Sequence, residues 1–380
     1  MLKRQKKNQS DVNMKILHIS TENTWRGGER QLVLLHSELS KAGTDSLVIA
    51  RKSSPVAEIC RKEGLSCLQI PIGSAYDLKA AWNIRNIARK EKADILHAHT
   101  SKGHTLAILA NIMAASVPVV LSRRVDFPVK SNFLSLYKYN SHFIRKIICV
   151  SDEIKKITAP SIRDKEKLIT IHSGVDIDKF SDISDLGHFR NNFDIPENIS
   201  IIGNTSALAD HKDYYTFVDT AVAVHKRNAD THFFIVGDGP LEAELRKYVN
   251  EKSAESYITF TGFIEEIGLA LKSLDIFLFT SKTEGLGTSV LDAMAAGIPV
   301  VATKAGGVPE MIKHDYNGLL CPVGSTHCLT TSVERLLKDN ALKMKLLENA
   351  KKTIVGFSYQ KTAKKTLSIY HEILNNNKSI

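Results

Sequence analysis

No segment reads as a membrane-crossing helix, because the charge-free stretches of about 18 residues, 103–122 and 316–333, are each interrupted by Pro, His and Asn. An apolar stretch of about 7–15 residues behind the early positive charges is also missing, which excludes a secretory signal and leads us to expect a cytoplasmic protein. Cysteine is scarce. Cys60, Cys67, Cys149, Cys321 and Cys328 make no C-x-x-C pair, and neither of the two C-x6-C spacings has a His pair beside it. Ordinary buried or surface thiols are therefore expected, with neither zinc nor a disulfide. No aspartate-rich D-x-D motif closes an expected strand, so no metal site and no cofactor are expected.

What the chain does have is a globular composition, 43% hydrophobic and 24% charged, over a length of 380 residues that suits two cores better than one. The net charge of +10 is uneven, because residues 1–180 hold about 30 Lys and Arg against about 17 Asp and Glu. A basic first half suits an anionic partner: nucleic acid, a phospholipid surface or a phosphorylated acceptor. Charge alone does not choose among them. No nucleic-acid motif accompanies the charge, so nucleic acid is not expected, and peripheral contact with an anionic membrane through this half stays open.

Short apolar runs alternate with longer amphipathic segments, the pattern of a parallel sheet covered by helices on both faces. In the first half the runs are Ile16–Ser20, Leu47–Ala50, Ile95–His99, Val119–Ser122, Ile147–Ser151 and Leu168–Ile171. A second series follows at Ser200–Asn204, Thr231–Val236, Tyr257–Thr261, Ile276–Ser281 and Val300–Thr303. The fold class is α/β, with two Rossmann-like doubly wound domains facing one cleft. The boundaries read as a flexible basic tail 1–13, a first domain 14–181, a linker 182–198, a second domain 199–357 and a closing helix 358–380.

In such sheets ligands sit beyond the carboxyl ends of the strands. There the sequence runs Glu284-Gly-Leu-Gly-Thr-Ser289 into a helix carrying Asp292, ahead of Gly297-Ile-Pro-Val-Val-Ala302. The glycines Gly285 and Gly287 leave backbone amides open to a ligand around Leu286, and the helix start at Thr288 and Ser289 adds partial positive charge, so a phosphate fits. Glu284 and Asp292 beside a phosphate are favourable only if they accept hydrogen bonds from hydroxyls, which sugar and ribose supply.

With these residues in view the chain resembles the family 4 glycosyltransferases of the GT-B fold, and the resemblance extends over nearly the whole length. It implies that Glu284 meets donor-sugar hydroxyls and Asp292, in place of the family's second Glu, meets the ribose. Trp25-Arg-Gly-Gly-Glu-Arg-Gln31 is similar to the family's loop against the donor diphosphate, which implicates Gly27 and Gly28. His97-Ala-His99 is similar to its His-x-His, with His99 the one expected to reach the donor sugar. Gly203 to Asp213 resembles the loop that carries an Arg and a Lys to the diphosphate: Lys212 fills the Lys position, but Ala207 stands where Arg is usual. Thr205 and Ser206 are expected to compensate in part.

Gly237-Asp-Gly-Pro240 and Gly262-Phe-Ile264 match the family's turns, and Phe263 is expected near the base. Ile148 to Glu153 and Ile171 to Phe180 read as architecture. The resemblance implies a retaining transferase that needs no divalent metal, takes a nucleotide-sugar (UDP- or GDP-sugar) as donor and serves a glycan or lipid-linked acceptor in bacterial envelope synthesis. His99, Lys212 and Glu284 are the expected catalytic residues. A nucleotide-sugar epimerase of the same architecture, and a basic membrane- or nucleic-acid-binding module, are the rival readings.

Overall fold

The computed structural model describes residues 14–181, 183, 187–264 and 267–377. The expected basic tail 1–13, positions 182 and 184–186 of the expected linker and the last residues 378–380 lie outside the described residues. Among the described residues, no helix is long and apolar enough to cross a membrane.

Two all-parallel sheets form. The first contains β1 (Lys15–Ser20), β2 (Asp45–Arg51), β3 (Cys67–Ile70), β4 (Ile95–Ala98), β5 (Val119–Arg123), β6 (Ile144–Cys149) and β7 (Leu168–Thr170), in the order β3-β2-β1-β4-β5-β6-β7. The second contains β8 (Ser200–Thr205), β9 (Thr231–Val236), β10 (Ile258–Gly262), β11 (Ile276–Phe279), β12 (Val300–Thr303) and β13 (Leu319–Cys321), in the order β10-β9-β8-β11-β12-β13. Their central strands are apolar almost throughout and buried on both faces, as helix-covered parallel strands must be. Each winding reverses once, between β1 and β4 and between β8 and β11. Crevices open beyond the carboxyl ends of strands at such reversals.

The helix Gly27–Lys41 puts Leu32, Leu35 and Leu39 into the core. It begins earlier than its apolar spacing suggests, because Gly27 and Gly28 form its first turn while the Glu29 carboxylate accepts the Arg26 amide at 3.0 Å. The last helix, Tyr359–Asn377, returns to the first domain, with the Val175 amide donating to Phe357 O and the Tyr359 amide to Val175 O at the crossing. Its Ala363, Ile369, Tyr370 and Ile373 share one buried cluster with Ile16, Leu35, Leu39 and Ile171.

Three features depart from expectation. Strands β3 and β13 were not foreseen; they are edge strands of four and three residues, too short for a period to show. The expected linker 182–198 contains a short helix, Gly187–Asn192, whose Phe189, with Phe193 just beyond it, meets Phe234 edge-to-face at 5.0 Å between ring centroids. Cys321 and Cys328 are a disulfide, not free thiols, with Cα atoms 5.7 Å apart. The end of β13 folds straight back onto the first turn of the helix Thr326–Lys338, a proximity invisible in a seven-residue spacing.

Candidate active site

Both winding reversals face the same gap. From the rear sheet, the segment after β11 carries Glu284, and Gly287 turns left-handed (φ +89°) to start the helix Thr288–Ala295. The Val290 amide is taken by Gly287 O at 3.0 Å, and the amides of Thr288 and Ser289 before it have no intrahelical acceptor. A Cβ at Gly285 would lie 2.3 Å from the Arg124 carbonyl, and one at Gly306 only 2.0 Å from the Glu284 carbonyl, so the turn is pressed against both domains through glycine. From the front sheet, Gly27 comes so close that a Cβ there would meet Thr288 Oγ1 at 3.4 Å. Two helix starts thus converge across the gap. Leu286 sends its side chain into the core and has only backbone to offer.

The Glu284 side chain is buried, and its Oε1 accepts from Lys212 Nζ at 2.5 Å and Ser281 Oγ at 2.8 Å. Lys212 ends a short 3-10 turn, beyond which Asp213 (φ +50°) caps the helix Tyr214–Arg227. Asp292 is held from across the gap by both Nη atoms of Arg30, at 2.8 and 3.0 Å. Phe263 is 66% exposed beside Gly262, whose carbonyl accepts the Gly237 amide at 3.0 Å. Thr205 is buried at the end of β8. Ser206 does not replace the missing arginine: its amide donates to Val236 O, and its hydroxyl is held by Asn204 Oδ1 and Tyr214 OH, both at 3.0 Å.

His99 is buried, and both of its ring nitrogens are engaged. Its Nδ1 lies 3.3 Å from Arg124 Nη2, and its Nε2 lies 2.9 Å from His18 Nδ1. His18 Nε2 reaches Ser46 Oγ at 3.1 Å, the same oxygen meets His36 Nδ1 at 2.7 Å, and His36 Nε2 ends on Ser66 O at 3.1 Å. Arginine only donates and a carbonyl only accepts, so every proton in this chain is assigned. Arg124 donates to His99, His99 to His18, His18 to Ser46, Ser46 to His36 and His36 to Ser66. All three imidazoles are neutral with fixed tautomers. Burial, reinforced at His18 and His99 by the neighbouring cation and rings, holds those two well below the ordinary imidazole range, and burial lowers His36 as well.

His18, His97 and His99 bring ring nitrogens within 4.8 Å of one another, a spacing a metal ion would accept. Yet His97 is spanned by Tyr370 OH and Ser122 Oγ, so all six nitrogens of the three rings already have hydrogen-bond partners. The adjoining guanidinium adds repulsion against any cation.

Sequence reasoning overlooked the residues that join the domains. Ser151 Oγ donates to Gly285 O at 2.5 Å. Glu310 of the rear domain accepts the amides of Asp152 and Glu153 at 2.8 and 3.0 Å and meets His172 Nε2 at 2.7 Å. Burial opposes ionisation of Glu310, but His172 and the two amides outweigh it and lower its pKa. The segments read as architecture are contact surfaces, and nothing local in the sequence marks their partners.

The description "Glycosyltransferase Family 4" matches residues 25–179, and "Glycosyl transferases group 1" matches residues 187–353. N-acetyl-α-D-glucosaminyl L-malate synthase of Bacillus anthracis is 28% identical over 315 residues, 80% of this chain and 81% of that protein. The UDP-Gal:α-D-GlcNAc-diphosphoundecaprenol α-1,3-galactosyltransferase of Escherichia coli is 24% identical over 381 residues, covering 96% and 98%. Among solved structures, a glycosyltransferase from Rickettsia africae superposes with a TM-score of 0.85 at 22% identity, over 96% of this chain and all of that one. Anabaena HepE in complex with UDP-glucose gives 0.82 at 21%, over 93% and 99%. The two structures establish the shared fold.

Proposed function

Because the chain belongs to the group 1, family 4 glycosyltransferases of the GT-B fold, we propose that it moves a hexose-type sugar from a UDP- or GDP-sugar to a glycan or lipid-linked acceptor, with retention and without a divalent metal. One observation carries the reading. Lys212 and Glu284 meet at 2.5 Å beside the glycine turn that opens the helix at Thr288, directly across the gap from Gly27 and Gly28.

In this reading the donor diphosphate lies on the free amides of Thr288 and Ser289, and Lys212 turns from Glu284 to the phosphates. Glu284, released, accepts hydroxyls of the sugar. As the glycosidic bond to phosphate breaks, negative charge grows on the β-phosphate, and the lysine with the helix start stabilises it. The acceptor attacks from the face that phosphate leaves, and the departing phosphate oxygen takes the acceptor's proton. Asp292 exchanges Arg30 for the ribose, and Phe263 lies by the base. A UDP donor is supported by the UDP-glucose held by HepE, and a lipid-linked envelope acceptor by the E. coli relative's diphosphoundecaprenol.

The experiment is a thermal-shift screen of UDP, GDP and their sugars, in which a ligand at 100 times its dissociation constant stabilises by about 2.7 kcal/mol. Glu284→Ala and Lys212→Ala should lose the shift that wild type shows. Turnover with the donor so found should persist in EDTA; its collapse would overturn the metal-free mechanism.

A further inference from the structure

Two adjacent arginines leave β5, and their surroundings differ. Arg123 is fully engaged: Nε donates to Thr158 Oγ1 and Nη1 to Tyr139 OH, each at 2.7 Å, and Nη2 donates to Phe127 O. Among the described residues the Arg124 guanidinium makes only two long contacts of 3.3 Å, both to His99, through the ring Nδ1 and the backbone carbonyl. Its Nε is sequestered and has no hydrogen-bond partner among the described residues. Among the described residues no carboxylate pairs with it. Burial pushes its pKa down to about 10 despite the more distant Glu29.

An unpaired, half-buried guanidinium is costly, and its persistence calls for a partner that arrives from outside. Its place indicates which. A Cβ at Gly28 would lie 3.8 Å from Arg124 Cδ, and the Arg124 carbonyl packs on Gly285, so the side chain sits between the two glycine turns that open the converging helices. Two helix starts and a spare cation share one gap. The rear domain meanwhile has Ala207 at the surface and Ser206 committed elsewhere, so its loop brings Lys212 to the gap as a single cation.

We propose that Arg124 is an anion-binding residue of the cleft, taking a phosphoryl oxygen of the bound substrate and supplying from the front domain the charge that Ala207 leaves out of the rear one. His99 orients the guanidinium: its tautomer is locked by the relay to Ser66, so its Nδ1 always offers a lone pair and never a competing proton. The phosphoryl group belongs either to the donor diphosphate or to a phosphorylated acceptor. The inference rests on the transferase reading above.

The test is calorimetric titration of the full chain with UDP, GDP, the two nucleosides and, on the nucleotide-loaded enzyme, inorganic phosphate. If wild type binds neither nucleoside diphosphate, the transferase reading and this inference fall together. Where it binds, Arg124→Gln should weaken the diphosphate by roughly 10- to 100-fold, the scale of one charge-assisted contact, with the nucleoside unchanged. That outcome assigns the donor. An unchanged diphosphate with phosphate binding lost to the loaded enzyme assigns the acceptor. Equal weakening of nucleoside and diphosphate, or no change in either phosphate measurement, overturns the inference while leaving the transferase reading intact. Arg124→Lys should recover part of the affinity. His99→Gln, which keeps an acceptor for Arg124, should retain phosphate affinity that His99→Leu loses.

Discussion

Glu284 and Lys212 satisfy each other in this structure, and Asp292 and Arg30 do the same, so in the proposed reading a nucleotide exchanges partners at these residues and does not fill unmet sites. Position 207 is different: it is exposed, uncharged and five residues from Lys212. Ala207→Arg should tighten nucleoside diphosphate binding roughly tenfold, one charge-assisted contact, in a calorimetric titration that shows no change for the bare nucleoside. The histidines give a second prediction at this scale. His18, His97, His99 and His104 are held well below the usual value of 6.5, chiefly by burial, so an unfolded chain takes up protons near that pH that the native one refuses. Stability is therefore complete above about pH 6.5 and falls below it, by about 1.4 kcal/mol per pH unit for each histidine that stays neutral. Urea midpoints at pH 7.5 and 5.5 measure this; equal midpoints would contradict the buried relay.

At the scale of elements, the glycines do separable work. Gly306 (φ +50°) has no space for a Cβ, which would strike the Glu284 carbonyl, whereas Gly297 (φ +76°) faces open space. Gly306→Ala should cost about 1–3 kcal/mol in a melt and at least tenfold in rate, by displacing Glu284. Gly297→Ala should cost only the backbone strain, about 1 kcal/mol, with the rate unchanged. The same scale decides what could be read beforehand. Central strands such as β8 and β11 announced themselves as apolar runs because both of their faces are covered, and the turn at Gly285–Gly287 was legible because strand, glycines and helix follow one another directly. Strand β3 escaped because Leu68 and Gln69 are exposed on an edge. Arg124 and Arg30 escaped for another reason: their meaning lies in the partner each has or lacks, His99 for one and Asp292 for the other, and those partners are 25 and 262 residues distant.

At the scale of the molecule, the polar contacts that join the two domains include Arg30 with Asp292, Ser151 with Gly285, and Glu310 with two amides and His172, beside apolar packing such as Val150 against Gly285. Removing one partner from such part-buried pairs costs more than the net worth of the pair, since the other is left unpaired. The double change Arg30→Ala with Glu310→Ala should therefore open the cleft, raising the radius of gyration in X-ray scattering without lowering secondary structure; an unchanged radius would assign closure to other contacts. The returning helix Tyr359–Asn377 has a different consequence. Tyr370 closes the cluster around Ile16 and Leu35 and reaches His97, so the domain begun at the amino end is completed by residues translated after the whole of the second domain. Until they emerge from the ribosome, Leu35, Leu39 and Ile171 lack that part of their cover, and an apolar groove stays open through the whole synthesis of the other domain. The half that is translated second is thus the half equipped to fold first.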